Sequence, residues 1–166
     1  MIRPGSLKPG DRIGIVSTAR KTGSDALEYA LSAIRRWEFV PVAGEHLLSS
    51  CNQFAGTDSE RAADFQRMLD DPGISAILCA RGGYGTARII DRIDFTEFIR
   101  NPKWIIGYSD ATVLHSHIQE NFGIATLHAS MPVNFKSNTT EALNGIKGVL
   151  EGALPSYAIG GHPLNR

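Results

Sequence analysis

The sequence has little cysteine, no excess charge of either sign and no long hydrophobic run. Its two cysteines, Cys51 and Cys79, form no CxxC pair, so neither a disulfide framework nor a zinc site is indicated. Lysine and arginine number 17, as do aspartate and glutamate, which leaves no net charge to attract nucleic acid or an anionic membrane. No segment approaches the roughly 18 apolar residues of a membrane span. We therefore expect no metal, no nucleic-acid partner and no membrane association.

The N-terminal stretch "MIRPGSLKPGDRIGIV" contains no apolar segment of secretory length. We therefore expect a cytoplasmic protein. The chain of 166 residues is 42% hydrophobic, which suits one domain with a substantial core.

Short apolar runs alternate with helical patterns along the chain. The runs lie in "DRIGIV", "EFVPVAG", "ISAILCA", "KWIIG" and "IATLHA", and Pro41 indicates that the second run lies at a sheet edge or ends early. The helical patterns lie in "ALEYALSAIRRW", "TDSERAADFQRMLDD", "GYGTARIIDRI", residues 95–99, "DATVLHSHIQENF" and "TTEALNGIKGVLEG". Thr57 and Glu60 have the spacing of a capping box. The alternation predicts an α/β fold, a flavodoxin-like parallel sheet of about five strands with helices on both faces.

The C-terminal stretch changes from a helical to a linker composition. After Gly152, the segment "ALPSYAIGGHPLNR" contains two prolines and two adjacent glycines. We predict an N-terminal domain over residues 1–152, and over residues 153–166 the start of a linker to a C-terminal domain that this chain lacks.

Ligands of parallel sheets bind beyond the carboxyl ends of the strands, where one predicted loop carries a serine. The segment "GYSDA" resembles a G-x-S-x-G nucleophile elbow, with Ala111 in place of the last glycine. An elbow would expose Ser109 and place the next amide at a helix N-terminus, where it can stabilise an oxyanion. Alternatively, Ser109 or Asp110 caps the following helix.

A second strand-end loop, "ARGGYG", contains two adjacent glycines. Their amides could face a ligand as anion or oxyanion donors, or the loop could be only a tight turn. The segment matches neither the phosphate loop nor the dinucleotide loop, which argues against nucleotide binding. Arg81 is a candidate for binding a substrate carboxylate, or a brace for the loop.

A serine nucleophile needs a base, and the histidines offer no complete set. They are His46, His115, His117, His128 and His162. His115 and His117 lie six and eight residues beyond Ser109, so the helix carries them away from it. Only His128 directly follows a strand at the edge of the sheet where ligands are expected to bind. The sequence therefore indicates no complete Ser-His-acid triad.

Four segments resemble, in order and spacing, the LD-carboxypeptidase family of serine peptidases. They are "IGIVSTAR", "RGGYGTARIID", "IIGYSDATVLH" and "TLHASMPVNF". The resemblance implies that Ser109 is the nucleophile and that the backbone amides of Gly83 and Asp110 are the oxyanion donors. Arg81, Tyr84 and Tyr108 are the candidates for substrate binding. The glutamate and histidine of the family's triad would lie in the second domain.

The family includes muramoyltetrapeptide carboxypeptidase and the microcin C immunity peptidases. The resemblance implies hydrolysis of the bond to a terminal D-amino acid, D-alanine of a murein tetrapeptide, in cell-wall peptide recycling. It implies an acyl-enzyme, no cofactor or metal, and a homodimer. Without the triad histidine and glutamate, the chain alone is expected to be inactive. Two alternatives stay open: a non-catalytic flavodoxin-like domain that binds small peptides, and an immunity-type peptidase acting on peptidyl-nucleotide antibiotics.

Overall fold

Five parallel strands in the order β2-β1-β3-β4-β5 form the centre of the molecule. The computed structural model describes residues 1–156 and residue 161. The strands are β1 (Arg12–Val16), β2 (Val40–Ala43), β3 (Ile74–Cys79), β4 (Trp104–Gly107) and β5 (Leu127–His128). This order is that of flavodoxin-like sheets, so the predicted fold class is confirmed.

Helices cover both faces of the sheet. They are α1 (Ser24–Arg36), α2 (Asp58–Asp70), α3 (Thr96–Arg100), α4 (Thr112–Phe122), α5 (Pro132–Phe135) and α6 (Thr140–Leu150). One core cluster joins the sheet to α1, α5 and α6, and a second joins it to α2, α3 and α4. Strand residues alternate between the two clusters, which is why the strands are apolar on both sides.

Local signals set several boundaries as predicted. The Thr57 side chain accepts from the Glu60 amide while the Glu60 carboxylate accepts from the Thr57 amide, so the capping box is present. Strand β2, which contains Pro41, lies at the sheet edge. Gly123 ends α4 in the left-handed conformation at φ 64°.

Two predicted elements differ from the structure. The helix expected in "GYGTARIIDRI" is instead a pair of 3₁₀ turns, Thr86–Arg88 and Ile90–Arg92. The Gly85 carbonyl and the Thr86 amide bond to Arg61 and Asp110 of other elements, and these contacts hold the segment in tight turns.

The fifth strand is shorter than expected because the residues before Leu127 pair with the N-terminus instead of with β4. The Ile2 amide donates to the Gly123 carbonyl, and the Ile2 carbonyl accepts from the Ala125 amide. Only Leu127 and His128 pair with β4. Helix α5 was not predicted.

No helix within the described residues has the length and apolar character needed to cross a membrane. Residues 153–156 of the predicted linker have no regular secondary structure. The rest of that predicted segment, His162 included, falls on 157–160 and 162–166, which lie outside the described residues.

Candidate active site

Ser109 lies on a sharp turn at the carboxyl end of β4. Its side chain is exposed, and its φ of 59° lies in the left-handed region that residues with a Cβ rarely adopt. The turn is so tight that a Cβ added at Gly107 would lie 2.8 Å from the Ala111 Cβ. A 3₁₀ turn, Ser109–Ala111, then leads into α4. This strained strand-turn-helix geometry is that of a nucleophile elbow.

Neither Ser109 nor Asp110 caps the helix that follows. No side-chain cap bond is formed at the start of the 3₁₀ turn or of α4. The Asp110 carboxylate instead accepts from the Thr86 amide at 2.8 Å, across the gap to the glycine loop. The two loops are thereby tied together.

The glycine loop, residues 81–85, lies directly against the serine. A Cβ added at Gly82 would lie 3.2 Å from the Ser109 Cβ and 3.3 Å from its Oγ, so a larger residue here would require Ser109 to shift by a few tenths of an ångström. Gly83 has a φ of 111°, and a Cβ there would lie 2.6 Å from the Arg20 Cγ. At Gly82 the loop therefore brings bare backbone next to the Ser109 hydroxyl.

A pocket of about 280 Å³ opens in front of these loops. It is lined by Arg20, Arg81, Gly82, Gly83, Tyr108, Ser109, Met131, Val133 and Asn134. Of the predicted site residues, Tyr84 does not line it and is 61% exposed, whereas the Asp110 carboxylate faces the glycine loop.

Two predicted substrate-binding residues also brace the site. Arg81 donates from Nη1 to the Lys21 carbonyl at 3.2 Å, and the Tyr108 hydroxyl donates to the Asn134 Oδ1 at 2.9 Å. Tyr108 is thereby oriented by a residue that the sequence did not single out.

Sequence reasoning missed four side chains that line the pocket. Arg20 ends the loop after β1, and Met131, Val133 and Asn134 follow β5. The only signal in the sequence was general: ligands of parallel sheets bind in the loops that follow the strands, but no motif distinguished these side chains.

The histidines within the described residues do not supply a base to Ser109. His115 is buried, and its Nε2 donates to the Gly107 carbonyl at 2.9 Å, beneath the elbow. Burial lowers the pKa of His115, which favours its neutral form. The His128 ring lies 6.2 Å from the Tyr108 ring. Within the described part of the chain, the Ser109 hydroxyl is hydrogen-bonded to neither a histidine nor a carboxylate.

A buried arginine supports the loops from below. Arg61 of α2 is 1% exposed and donates to the carbonyls of Thr18, after β1, and Gly85, in the glycine loop. It also pairs with Asp58, whose carboxylate receives three further bonds from Arg88 at 2.8, 2.9 and 3.2 Å. The nearby Arg88 guanidinium lowers the pKa of Asp58, so this carboxylate stays charged.

No group of three or more potential metal ligands occurs among the residues that the structure describes. The arrangement instead offers a hydroxyl, a glycine backbone and two arginines.

Comparison with known proteins identifies the family that this chain resembles. The model of the LD-carboxypeptidase N-terminal domain matches residues 13–129. A Bacillus subtilis (strain 168) protein named "Probable murein peptide carboxypeptidase" is 37% identical over 129 residues, covering 78% of this chain and 40% of that protein. The microcin C7 self-immunity protein MccF of Escherichia coli is 31% identical over 125 residues, covering 74% of this chain and 36% of that protein.

Among solved structures, a variant of MccF in complex with adenosine monophosphate superimposes with a TM-score of 0.85. It is 24% identical, covering 95% of this chain and 50% of that one, so the likeness shows the fold alone. The chain spans half or less of the length of these proteins.

Proposed function

The chain belongs to the LD-carboxypeptidase family, and from this premise we propose that it is the nucleophile domain of a serine-type LD-carboxypeptidase. The observation that carries the proposal is the placement of Ser109. It is exposed at the end of β4, held at φ 59°, and faces a loop of bare backbone at Gly82 and Gly83.

The reaction begins with attack of the Ser109 Oγ on the carbonyl carbon that precedes the terminal D-amino acid. The serine proton passes to a base, and the carbonyl oxygen becomes an oxyanion. The amides of Gly83 and Asp110 donate to that oxyanion. Collapse breaks the peptide bond, the amine leaves with a proton, and water then hydrolyses the acyl-enzyme.

The base and its orienting acid are a histidine and a glutamate of a second domain. Two observations support this: the Ser109 hydroxyl has no such partner among the described residues, and the chain spans half or less of its relatives. In this proposal residues 1–152 form the nucleophile domain. The full-length protein is a homodimer, and no metal or cofactor takes part.

The substrate is a murein tetrapeptide that loses its terminal D-alanine during cytoplasmic cell-wall recycling. The name of the Bacillus subtilis relative supports a murein peptide. Arg81 and Tyr108 line the pocket that would receive it, and Tyr84 stands on the exposed rim of the same loop.

A second candidate is an immunity-type peptidase that cleaves peptidyl-nucleotide antibiotics. The 31% identity to the microcin C7 self-immunity protein favours it. Profiling the full-length protein on murein tetrapeptide and on an aminoacyl nucleotide separates the two candidates, because the better substrate has the higher kcat/KM.

The proposal is tested by labelling full-length protein with a fluorophosphonate and following D-alanine release. We expect one covalent adduct, at Ser109, and release that falls by at least about 10³-fold in Ser109→Ala. Ser116→Ala, on the exposed side of α4, is the matched control and keeps both properties. An unlabelled Ser109 together with undiminished release in Ser109→Ala would contradict the proposal.

A further inference from the structure

Arg20 is a cation in the candidate pocket without an anionic partner among the described residues. Its side chain is exposed and lines the pocket together with Ser109 and Gly83. Within the described residues neither Arg20 nor Arg81, the other arginine of the pocket, takes part in an ion pair. None of the residues that line the pocket is acidic. The pocket therefore favours a negatively charged ligand.

The backbone holds Arg20 in place before any ligand arrives. Arg20 forms an isolated bridge with Phe54, and the flanking residues bond to the same segment, from the Lys21 amide to the Gln53 carbonyl and from the Ala55 amide to the Ala19 carbonyl. Arg81 braces the loop further through the Lys21 carbonyl. A guanidinium on a braced backbone loses less entropy when it binds.

The stem of Arg20 crosses the loop that contains the proposed oxyanion donor. A Cβ built on Gly83 would lie 2.6 Å from the Arg20 Cγ, 2.7 Å from Cδ and 3.2 Å from Nε. The guanidinium therefore begins next to Gly83. In a peptide that loses one residue, only N and Cα separate the scissile carbonyl carbon from the carboxylate carbon, which limits their distance to about 4 Å.

Because Arg20 lies beside Gly83, where the scissile carbonyl is expected, and the terminal carboxylate lies within this short distance of that carbonyl, we propose that Arg20 binds the terminal carboxylate of the substrate peptide and so restricts cleavage to the last residue. The inference rests on the proposed function and deepens it. An arginine suits this task because its donors match a carboxylate in a bidentate pair. Arg81, whose Nη1 is engaged with a carbonyl, is the weaker candidate for the carboxylate, because part of its donor capacity is already used.

The test compares two probes on full-length protein: a murein tetrapeptide ending in D-alanine and the same peptide ending in D-alaninamide. Arg20→Gln should raise KM for the free acid by about 10- to 100-fold, the worth of a charged hydrogen-bonded contact, and leave the amide nearly unchanged. Lys21→Gln is the matched control. It removes the neighbouring positive charge, which bonds to Ser50 outside the pocket, and should keep the preference for the free acid.

A binding measurement separates this inference from the proposed function. Calorimetry on Ser109→Ala should show tight binding of the free acid, weak binding of the amide, and loss of the difference when Arg20→Gln is added. If the acid binds in this Arg20-dependent manner but native protein never cleaves it, the catalytic proposal fails and the inference stands. Equal binding of acid and amide, no binding of either, or an unchanged preference in Arg20→Gln would overturn the inference.

Discussion

At the scale of single residues, the conformation of Ser109 has a measurable cost. A residue with a Cβ at φ 59° is strained, whereas glycine is not. Ser109→Gly should therefore unfold with a free energy about 1 kcal/mol higher than that of Ser109→Ala, although both lack the nucleophile. Urea denaturation of the 166-residue chain measures the difference.

The same pair of substitutions at Ser116 is the control, because this residue lies in the interior of α4. There glycine should be less stable than alanine by about 1 kcal/mol, the opposite sign. If both sites favour alanine, Ser109 is not held in a strained turn.

At the scale of elements, the bond from the Thr86 amide to the Asp110 carboxylate sets the distance between two loops. One loop contains Ser109 and the other contains Gly83, so this bond fixes the spacing of both proposed oxyanion amides. Asp110→Ala should lower kcat by roughly 10²-fold with a smaller change in KM, because misplaced donors chiefly affect the transition state.

Asp110→Asn keeps an acceptor oxygen for the Thr86 amide, so its kcat should stay close to that of the native protein and well above that of Asp110→Ala. Steady-state kinetics on the full-length protein measure both variants. Equal kcat values in Asn and Ala would show that the carboxylate acts through its charge rather than through this bond.

A second contact between elements joins α2 to the loops after β1 and β3. Arg61 is buried among the Thr18 carbonyl, the Gly85 carbonyl and Asp58. Arg61→Met leaves the carbonyls of Thr18 and Gly85 without this donor, while Asp58 keeps its bonds to Arg88, and should lower the free energy of unfolding by about 1–3 kcal/mol.

Arg100→Met, at the end of α3, is the control. The Arg100 side chain is 68% exposed and pairs only with Glu97 among the described residues, so the loss should be below about 1 kcal/mol. Equal losses in urea denaturation would contradict a special role for Arg61.

At the scale of the whole molecule, the proposed catalytic set is divided between two domains. The 166-residue chain should release no measurable D-alanine, because general-base help worth roughly 10²–10⁴-fold is missing. A form that includes the second domain should release it. Release by the 166-residue chain that is abolished by Ser109→Ala would contradict this division and would identify His128 as an internal base.

The sequence alone determined the features that depend on neighbours along the chain. Apolar runs between helical patterns indicated five strands and an α/β sheet, Pro41 an edge strand, and Thr57 with Glu60 the start of α2. Gly107, two residues before Ser109, likewise indicated a tight strand-end turn. These signals are readable because backbone dihedral preference and hydrophobic period act over a few residues.

Only the tertiary structure decided which distant groups meet. Ile2 pairs with Ile124, in the segment expected to be the first part of β5, and Arg61 and Asp110 hold the segment after Gly85 in 3₁₀ turns instead of a helix. The pocket position of Arg20 depends in the same way on its contact with Gly83 across the sheet edge. Such contacts join residues far apart in the sequence, and local periodicity contains no information about which partners satisfy a buried amide, carbonyl or charge.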